Sequence, residues 1–228
     1  MKINDTAVII PAHNEEQVIQ QTLEEVKKYF ETVVVVNDGS KDSTLEKARE
    51  MSAHVLSHVF ALGQGAAIQT GIEYALTLPG IEYFVTLDAD GQHLPTDAVK
   101  MREQLIEKKD DIVIGSRFLG ATVNMPKAKK TLLKAATKFS NVTAKTSFTD
   151  AHNGLRVFNR HVAETLDIQE NSYQHASEIS EKIIVNKYNY SEAPVTIVYT
   201  EYSMSKGQSM LNAINIGFDV LIRKVVKK

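Results

Sequence analysis

The 228-residue sequence contains no cysteine, so disulfide bonds are excluded and cysteine usage does not reveal the redox compartment. It also lacks any apolar run approaching the roughly 18 residues that a membrane-spanning helix needs. Residues 1–5 (MKIND) lead directly into an apolar run, without the basic, apolar and small-residue order of a signal peptide. We therefore expect a cytoplasmic protein that is not integral to a membrane.

Two common nucleotide-binding signatures are absent as well. The glycine-bearing stretch at residues 62–67 (LGQGAA) is not a dinucleotide fingerprint, because the third glycine of G-x-G-x-x-G would fall at Ile68. No G-x-x-x-x-G-K-[ST] sequence of the P-loop type occurs either. A Rossmann oxidoreductase and a P-loop enzyme are therefore disfavoured.

Acidic residues are scarce in two stretches. Residues 120–149 contain six lysines and no acid, and residues 210–228 contain four basic residues and one acid, although the formal net charge of the chain is −2. Basic segments on an acidic body favour an anionic partner, whereas a solvated lysine face is the commoner explanation of a single basic run. Nucleic acid is not expected, because the rest of the chain is acidic and contains no nucleic-acid-binding motif.

Apolar runs of strand length alternate with stretches of helical periodicity in the first half of the chain. Strands are predicted near residues 7–10, 33–36, 54–56, 83–87 and 111–114. Helices are predicted near residues 18–30, 42–51, 66–78 and 95–108. This alternation with short connections implies an α/β fold with a mostly parallel sheet, helices on both faces and right-handed crossovers.

The alternation changes after Arg117. Further helices are predicted near residues 126–139, 160–166 and 174–187, with short strands at 154–158 and 195–199 and a loop over 200–209. A final amphipathic helix is predicted from Met210, with the basic residues at its end.

Two carboxylates, Asp88 and Asp90, follow the predicted strand at residues 83–87. Gly91 and Pro95 end that strand, so the pair lies at its carboxyl end, where ligands bind in open α/β sheets. Residues i and i+2 of an extended chain face the same side, so both carboxylates can face one point, and Gln92 can add an oxygen. Hard oxygen ligands suit Mg²⁺ or Mn²⁺, with a diphosphate filling the remaining positions. The alternative is ordinary loop chemistry after a strand.

Other strand ends also carry carboxylates, namely Glu15 or Glu16 and Asp38. Each separately is a candidate cap or turn residue, but together they line one edge of one sheet. Single carboxylates can accept hydrogen bonds from ribose hydroxyls or a base N–H, and the acidic edge needs a cation to hold a diphosphate. Gly63 and Gly65 should allow close backbone approach and leave free N–H groups for an anion at a helix start.

Seven segments together resemble glycosyltransferase family 2, and most closely its dolichyl- and polyprenyl-phosphate sugar synthase branch. Five lie in the first half of the chain: residues 11–15 (PAHNE), 35–44 (VVNDGSKDST), 63–65 (GQG), 88–93 (DADGQH) and 115–117 (GSR). Two follow in the second half: residues 149–156 (TDAHNGLR) and 202–206 (YSMSK). The resemblance implies a GT-A fold over residues 1–209, with a nucleotide-sugar-binding half (1–118) and an acceptor half (119–209), followed by the amphipathic helix at 210–228.

The resemblance also implies roles for individual residues. Those expected to bind the nucleotide sugar are Pro11, His13, Asn14, Glu15, Asp38, Gly65, Asp88, Ala89, Arg117, Ser205 and Lys206. Those expected to surround Mg²⁺ or Mn²⁺ are Asp88, Asp90 and Gln92. Lys206, on a mobile loop, would close over the leaving diphosphate, which makes physical sense because negative charge develops there.

Three residues of the second half are candidates for the chemistry on the acceptor. Asp150 and Arg156 could position a phosphate or hydroxyl acceptor, and Glu178 is either a site residue or a helix-surface charge. An alcohol acceptor needs a base to take its proton, whereas a phosphate acceptor is already ionised. His54 and His58 are not expected to form a metal site. His93, His152 and His175 are placed either along the acceptor side or at the surface.

The sequence departs from the family pattern at several points. His13 replaces a tyrosine, Asn37 an aspartate, Ser43 a glycine, and Gln64 replaces the lysine common between the two glycines, so the sugar and the nucleotide stay open. Many members of this branch carry a C-terminal membrane span, and no apolar run of that length occurs in the 228 residues. The amphipathic helix from Met210 could instead lie in an anionic membrane interface, or pack on the protein's own core or on another subunit.

The sequence therefore predicts a metal-dependent, inverting glycosyltransferase that moves a sugar from a nucleoside diphosphate to polyprenyl phosphate or a lipid-linked glycan. Such a reaction belongs to cell-envelope or surface polysaccharide assembly, carried out at the cytoplasmic face of a membrane. Two alternatives remain: transfer to a soluble or protein acceptor by a homo-oligomer, and a non-catalytic nucleotide-sugar-binding subunit of a membrane complex.

Overall fold

A computed structural model of the chain describes residues 2–51, 54–144, 146–172 and 174–206. Seven strands are named in chain order: β1 (Ile3–Ala12), β2 (Phe30–Asp38), β3 (His54–His58), β4 (Tyr83–Thr86), β5 (Ile112–Val123), β6 (Arg156–Asn159) and β7 (Tyr190–Val198). Five helices of the first two-thirds of the chain are α1 (Ile19–Lys27), α2 (Thr44–Glu50), α3 (Gln64–Leu76), α4 (Pro95–Lys108) and α5 (Lys127–Ala144). Three more follow: α6 (Arg160–Thr165), α7 (His175–Val185) and α8 (Glu201–Lys206).

The strands form one sheet in the order β3-β2-β1-β4-β6-β5-β7. All neighbouring pairs are parallel except those that β6 makes with β4 and β5. The mostly parallel α/β sheet predicted from the alternation is confirmed. Because β6 runs in the opposite direction, its first residue lies at the edge where β4 ends, and Arg156 pairs in register with Thr86.

Alternating side chains of the central strands enter two separate cores. Val8 and Ile10 of β1 face one core, which α1 and α4 complete with residues such as Leu23 and Met101. Ile9 faces the other core, to which α3, α6 and α7 contribute. This is the period of two expected of a strand whose faces are both covered, and it explains why the strand sequences read as continuous apolar runs.

Several predicted boundaries are corrected by the structure. Phe30 begins β2 and does not end a helix, because it pairs with Ile3 of β1. Its side chain is fully buried in the core. β5 continues to Val123, well past the predicted end at residue 114, because its outer part pairs with β7. The segment predicted as a loop from residue 200 contains α8, and Thr200, just before this helix, exchanges hydrogen bonds with Ser203 in its first turn.

The predicted amphipathic helix from Met210 lies outside the described residues. Among the helices that are described, none combines the length and the apolar character needed to cross a bilayer.

Candidate active site

The ends of β1, β2 and β4 meet at one edge of the sheet and open into a cleft of about 480 Å³. Seven predicted nucleotide-sugar or metal residues line it: Pro11, His13, Glu15, Asp38, Asp88, Ala89 and Asp90. Gln64, Ser172 and Ser203 complete the lining together with neighbouring small residues. The structure therefore brings together residues up to 192 positions apart in sequence, from Pro11 of the first strand to Ser203 of α8.

The Asp88 carboxylate is contacted by the side chains of Gln64 and His93. Its Oδ1 accepts a hydrogen bond from Gln64 Nε2 at 2.8 Å, and His93 Nε2 lies 3.1 Å from its Oδ2. Burial acts to raise the pKa of Asp88, but the hydrogen bond and charge of His93 and the charge of Arg156 outweigh it, so the pKa lies below its usual value. Asp88 is accordingly ionised at neutral pH.

The pKa of Asp90 is shifted in the opposite direction, to above its usual value. Burial and the negative charge of Asp88 raise its pKa. Its only hydrogen-bond donors in the described part of the chain are the backbone N–H and the side-chain amide of Gln92. Two carboxylates that repel each other in a partly buried site would be stabilised by a cation between them, so these residues fit a divalent metal ion.

Within the described residues, no group of three or more histidine, cysteine or acidic side chains is arranged to hold a metal ion. The acidic pair would therefore need oxygen ligands from elsewhere, as a bound diphosphate provides. Gln92 can contribute only if its amide turns, because its nitrogen faces Asp90 in this structure.

Asp38 organises the loop between β3 and α3. Its Oδ1 accepts hydrogen bonds from Leu62 N and lies 2.8 Å from His58 Nδ1, while its Oδ2 accepts from Gly63 N. His58 Nε2 in turn lies 3.0 Å from Thr70 Oγ1. Burial acts to raise the pKa of Asp38, but these donors outweigh it and the pKa lies below its usual value. His58 thus supports a carboxylate at the cleft, a contact that its lone position in the sequence did not reveal.

The segment after β1 is tied to the segment after β2. Asn14, which has a left-handed backbone with φ 56°, donates its N–H to Ser40 Oγ and accepts the N–H of Lys41 on its side chain. His13 Nδ1 lies 2.6 Å from the Asp38 carbonyl oxygen. The two predicted motifs at residues 11–15 and 35–44 therefore form one wall of the cleft.

The prediction of free backbone N–H groups at the start of α3 is wrong. Gly65 N and Ala66 N both donate to the Asn171 carbonyl, and Gly63 N donates to Asp38. A Cβ at Gly63 would overlap Asn171 O, and a Cβ at Gly65 would overlap Glu170 O. The two glycines admit a protein segment, residues 170–171, against the helix start, and Gly65 does not line the cleft.

Arg117 and Asp150 form a buried ion pair at the acceptor side. Arg117 Nε is 2.5 Å from Asp150 Oδ2, which also accepts the Arg117 backbone N–H. The same guanidinium donates to Tyr199 Oη and to the His152 carbonyl. Burial acts to lower the pKa of Arg117, but the charge of Asp150 outweighs it and the pKa is raised. Arg117, predicted to bind the nucleotide sugar, therefore directly contacts Asp150, a predicted acceptor residue.

Arg156 is buried and has an unused donor. The residue is only 3% exposed, and its Nη1 has no hydrogen-bond partner in the described part of the chain. Burial lowers the pKa of Arg156 to about 10, against the opposing charges of Asp88 and Asp150. Asp150 Oδ1 is likewise buried without a partner. Buried polar atoms without a partner, such as these two, indicate a place where a charged or polar ligand group could bind.

Lys129 of α5 brings a third cation to this side. Its Nζ lies 4.7 Å from the centre of the Tyr199 ring, which is a cation–π distance. Burial and the charge of Arg117 lower the pKa of Lys129, while Asp90 acts to raise it. Sequence reasoning counted Lys129 only as part of a basic helix, and nothing in its spacing singled it out from the neighbouring lysines.

The three histidines left open between the acceptor side and the surface are not surface residues. His93 and His175 are buried, and His152 is partly buried, with an Nδ1 that has no hydrogen-bond partner among the described residues. Burial and the charge of Arg156 lower the pKa of His175 to about 4, so it is neutral at pH 7. Its Nδ1 lies 2.7 Å from the Ser172 carbonyl oxygen and therefore carries the proton.

Glu178 is engaged with the chain before α7. Its carboxylate accepts the backbone N–H groups of Gln169 and Glu170 and lies 3.1 Å from Lys182 Nζ. These contacts hold residues 169–170 in place, next to the carbonyl groups of Glu170 and Asn171 that pack against the first residues of α3. The side chains of Ser205 and Lys206 lie outside the described part of the structure, but α8, which carries them, is fixed to the cleft by a hydrogen bond from Tyr202 Oη to Glu15 Oε2 at 2.7 Å.

Comparison with known proteins identifies the family of the chain. Residues 7–167 match the model of "Glycosyl transferase family 2". The chain belongs to glycosyltransferase family 2. It is a glycosyltransferase, and the family and branch expected from the motifs are confirmed.

Relatives within the family extend over almost the whole chain. One is the UDP-N-acetylglucosamine--dolichyl-phosphate N-acetylglucosaminyltransferase of Methanococcus voltae, 30% identical over 96% of this chain and 96% of its own length. Another is the polyprenol monophosphomannose synthase of Mycolicibacterium smegmatis, 30% identical over 88% of this chain and 80% of its own length.

A solved structure has the same fold. The glucosyl-3-phosphoglycerate synthase of Mycobacterium tuberculosis superposes with a TM-score of 0.68 at 16% identity, covering 95% of this chain and 77% of that one. The GT-A fold expected from the motifs is confirmed.

Proposed function

We propose that this glycosyltransferase moves a sugar from a nucleoside diphosphate sugar to the phosphate of a polyprenyl phosphate, with a divalent cation held by Asp88 and Asp90. The observation that carries the proposal is the buried Arg156, whose Nη1 has no partner among the described residues and whose charge acts on Asp88. An anionic acceptor group there would pair this guanidinium beside the acidic pair.

The residues around Arg156 favour a phosphate group over an alcohol as the acceptor of the sugar. Arg117 and Lys129 add two further cations on the same side, and the Asp150 carboxylate balances only one of them directly. A phosphate acceptor arrives ionised and needs no base, so the commitment of Glu178 to backbone N–H groups does not impede the reaction. The names of the two relatives from Methanococcus and Mycolicibacterium also specify polyprenyl-type phosphate substrates or products.

The chemistry is a single displacement that inverts the anomeric centre. An oxygen of the acceptor phosphate attacks the anomeric carbon, and the bond from that carbon to the diphosphate oxygen breaks. The nucleoside diphosphate leaves with the electron pair. Bound between Asp88, Asp90 and the diphosphate, a divalent cation would neutralise the charge that develops there. Solved relatives of the same fold were crystallised with Mn²⁺ and UDP-glucose, which supports Mn²⁺ or Mg²⁺ as the cation.

Several further features belong to this proposal. Glu15, His13 and Asp38 would receive the nucleoside at the wall of the cleft, and Ser205 and Lys206 on α8 would cover the diphosphate. The basic helix α5 and the predicted C-terminal helix would hold the protein at the cytoplasmic face of a membrane, where glycans of the cell envelope are assembled.

The test is transfer from labelled nucleotide sugars in detergent solution. UDP-N-acetylglucosamine, UDP-glucose and GDP-mannose are each supplied with Mn²⁺ and either polyprenyl phosphate or polyprenol. We expect one donor to label polyprenyl phosphate, polyprenol to stay unlabelled, and EDTA to abolish transfer. Asp90→Asn should abolish transfer, whereas Asp167→Asn, in an exposed loop, should not.

Other results would point to the alternatives. Equal labelling of polyprenol would contradict phosphate recognition, and transfer only to a soluble phosphorylated compound would contradict the lipid acceptor. Binding of a nucleotide sugar without transfer to any acceptor would favour a non-catalytic subunit.

A further inference from the structure

Gln64 occupies a fixed position between two glycines. Gly63 and Gly65 each pack against a backbone carbonyl, of Asn171 and Glu170 respectively, so closely that neither has space for a Cβ. Gly65 N also donates to Asn171 O at 2.8 Å, and Gly63 N donates to Asp38 Oδ2 at 2.8 Å. The backbone on both sides of Gln64 is thus held by neighbouring elements.

The Gln64 side chain is directed at the acidic pair. Its Nε2 donates to Asp88 Oδ1 at 2.8 Å. An ionised carboxylate only accepts hydrogen bonds, so the amide nitrogen and not the amide oxygen must face it. His93 is directed at the other carboxylate oxygen. Both carboxylate oxygens of Asp88 are therefore contacted by neighbouring side chains, and Gln64 orients the carboxylate without adding a charge.

We propose that Gln64 is a positioning residue that sets the affinity of the acidic pair for a divalent cation. Its amide fixes the orientation of Asp88 and leaves the negative charge of the pair available. A cationic side chain in the same clamp would form an ion pair with Asp88 and compete with the metal ion for it. This inference rests on the proposed function, in which Asp88 and Asp90 hold the cation.

The experiment is a titration of the full chain with Mn²⁺, followed by the electron paramagnetic resonance signal of free Mn²⁺, in the absence and in the presence of UDP. Gln64→Lys is compared with Gln64→Leu, which removes the donor without adding charge. Gln20→Lys, in the exposed pair that Gln20 forms with Glu50, makes the same change of charge away from the cleft. Far-UV circular dichroism and thermal unfolding establish that each variant is folded.

We expect Gln64→Lys to weaken Mn²⁺ binding by about tenfold or more and Gln64→Leu to weaken it by a smaller factor. Gln20→Lys should bind as the wild type does. Equal affinity for Mn²⁺ in folded Gln64→Lys and wild-type protein would overturn the role of Gln64 and leave the proposed function standing. Failure of the wild-type protein to bind Mn²⁺ both with and without UDP would refute the metal site itself, and this inference with it.

Discussion

The carboxylate of Asp88 fills the space in which a side chain at Gly154 would have to lie. A Cβ at Gly154 would come within 2.6 Å of Asp88 Oδ1 and closer still to Oδ2. Gly154 is the residue of the acceptor segment that touches the first carboxylate of the acidic pair. The predicted donor and acceptor motifs are therefore in van der Waals contact, although Asp88 and Gly154 lie 66 positions apart in sequence.

We predict that Gly154→Ala displaces the Asp88 carboxylate and lowers glycosyl transfer by at least about tenfold. The free energy of unfolding should fall by only about 1 kcal/mol, because the group that must move is the end of a side chain. Gly80→Ala is the matched control: its φ of 75° strains an alanine by a similar amount, but nothing lies near its Cβ. Activity and urea unfolding are measured on both variants, and a fully active Gly154→Ala protein would contradict the prediction.

Replacement of Arg156 should separate acceptor binding from metal binding. In Arg156→Met the KM for polyprenyl phosphate should rise by about tenfold or more, since a hydrogen bond to a charged group is lost. Mn²⁺ binding should be unchanged or tighter, because a positive charge near Asp88 has gone. Arg49→Met, on the exposed face of α2, serves as the control. A parallel loss of Mn²⁺ affinity and acceptor affinity would indicate general disruption of the site instead.

The contacts of His58 with Asp38 and Thr70 predict coupled stabilities. His58→Phe should lower the free energy of unfolding by about 1–2 kcal/mol, since Asp38 loses a buried donor, and Thr70→Val by about 0.5–1 kcal/mol. The double variant should lose less than the sum, because Thr70 acts on Asp38 only through His58. Urea unfolding of the four proteins gives the coupling energy. Strictly additive losses would mean that the three side chains do not form one network.

The lowered pKa of His175 predicts that the free energy of unfolding depends on pH. Its folded pKa is about 4, against 6.5 in an unfolded chain, so the unfolded state binds the extra proton between these values. The free energy of unfolding should therefore fall as the pH drops from about 6.5 towards 4, by up to ~1.4 kcal/mol per pH unit. His175→Asn keeps a donor for the Ser172 carbonyl and should make this fall shallower, whereas exposed His161→Asn should not. An identical fall in His175→Asn would rule out this source.

The sequence was most informative where both faces of a strand are buried. The valine run of β2 and the apolar run of β1 predict their strands, and the acids that follow them reach one edge because parallel strands end together. The position of β6 was not predictable, since nothing local specifies that Arg156 should pair with Thr86, 70 positions earlier in the sequence. The closure of the α3 start by Asn171 was missed for the same reason: a contact between backbone groups has no side-chain signature.

The antiparallel strand β6 also affects the stage of translation at which the sheet can form. β4 and β5 do not pair with each other: β6 enters between them, and β7 then pairs with the other edge of β5. A nascent chain that ends before Arg156 would thus present one unpaired edge of β4 and both edges of β5, which are sites of aggregation. The sheet closes only after more than two-thirds of the chain has left the ribosome, so the donor cleft is finished late in translation although most of its residues are made early.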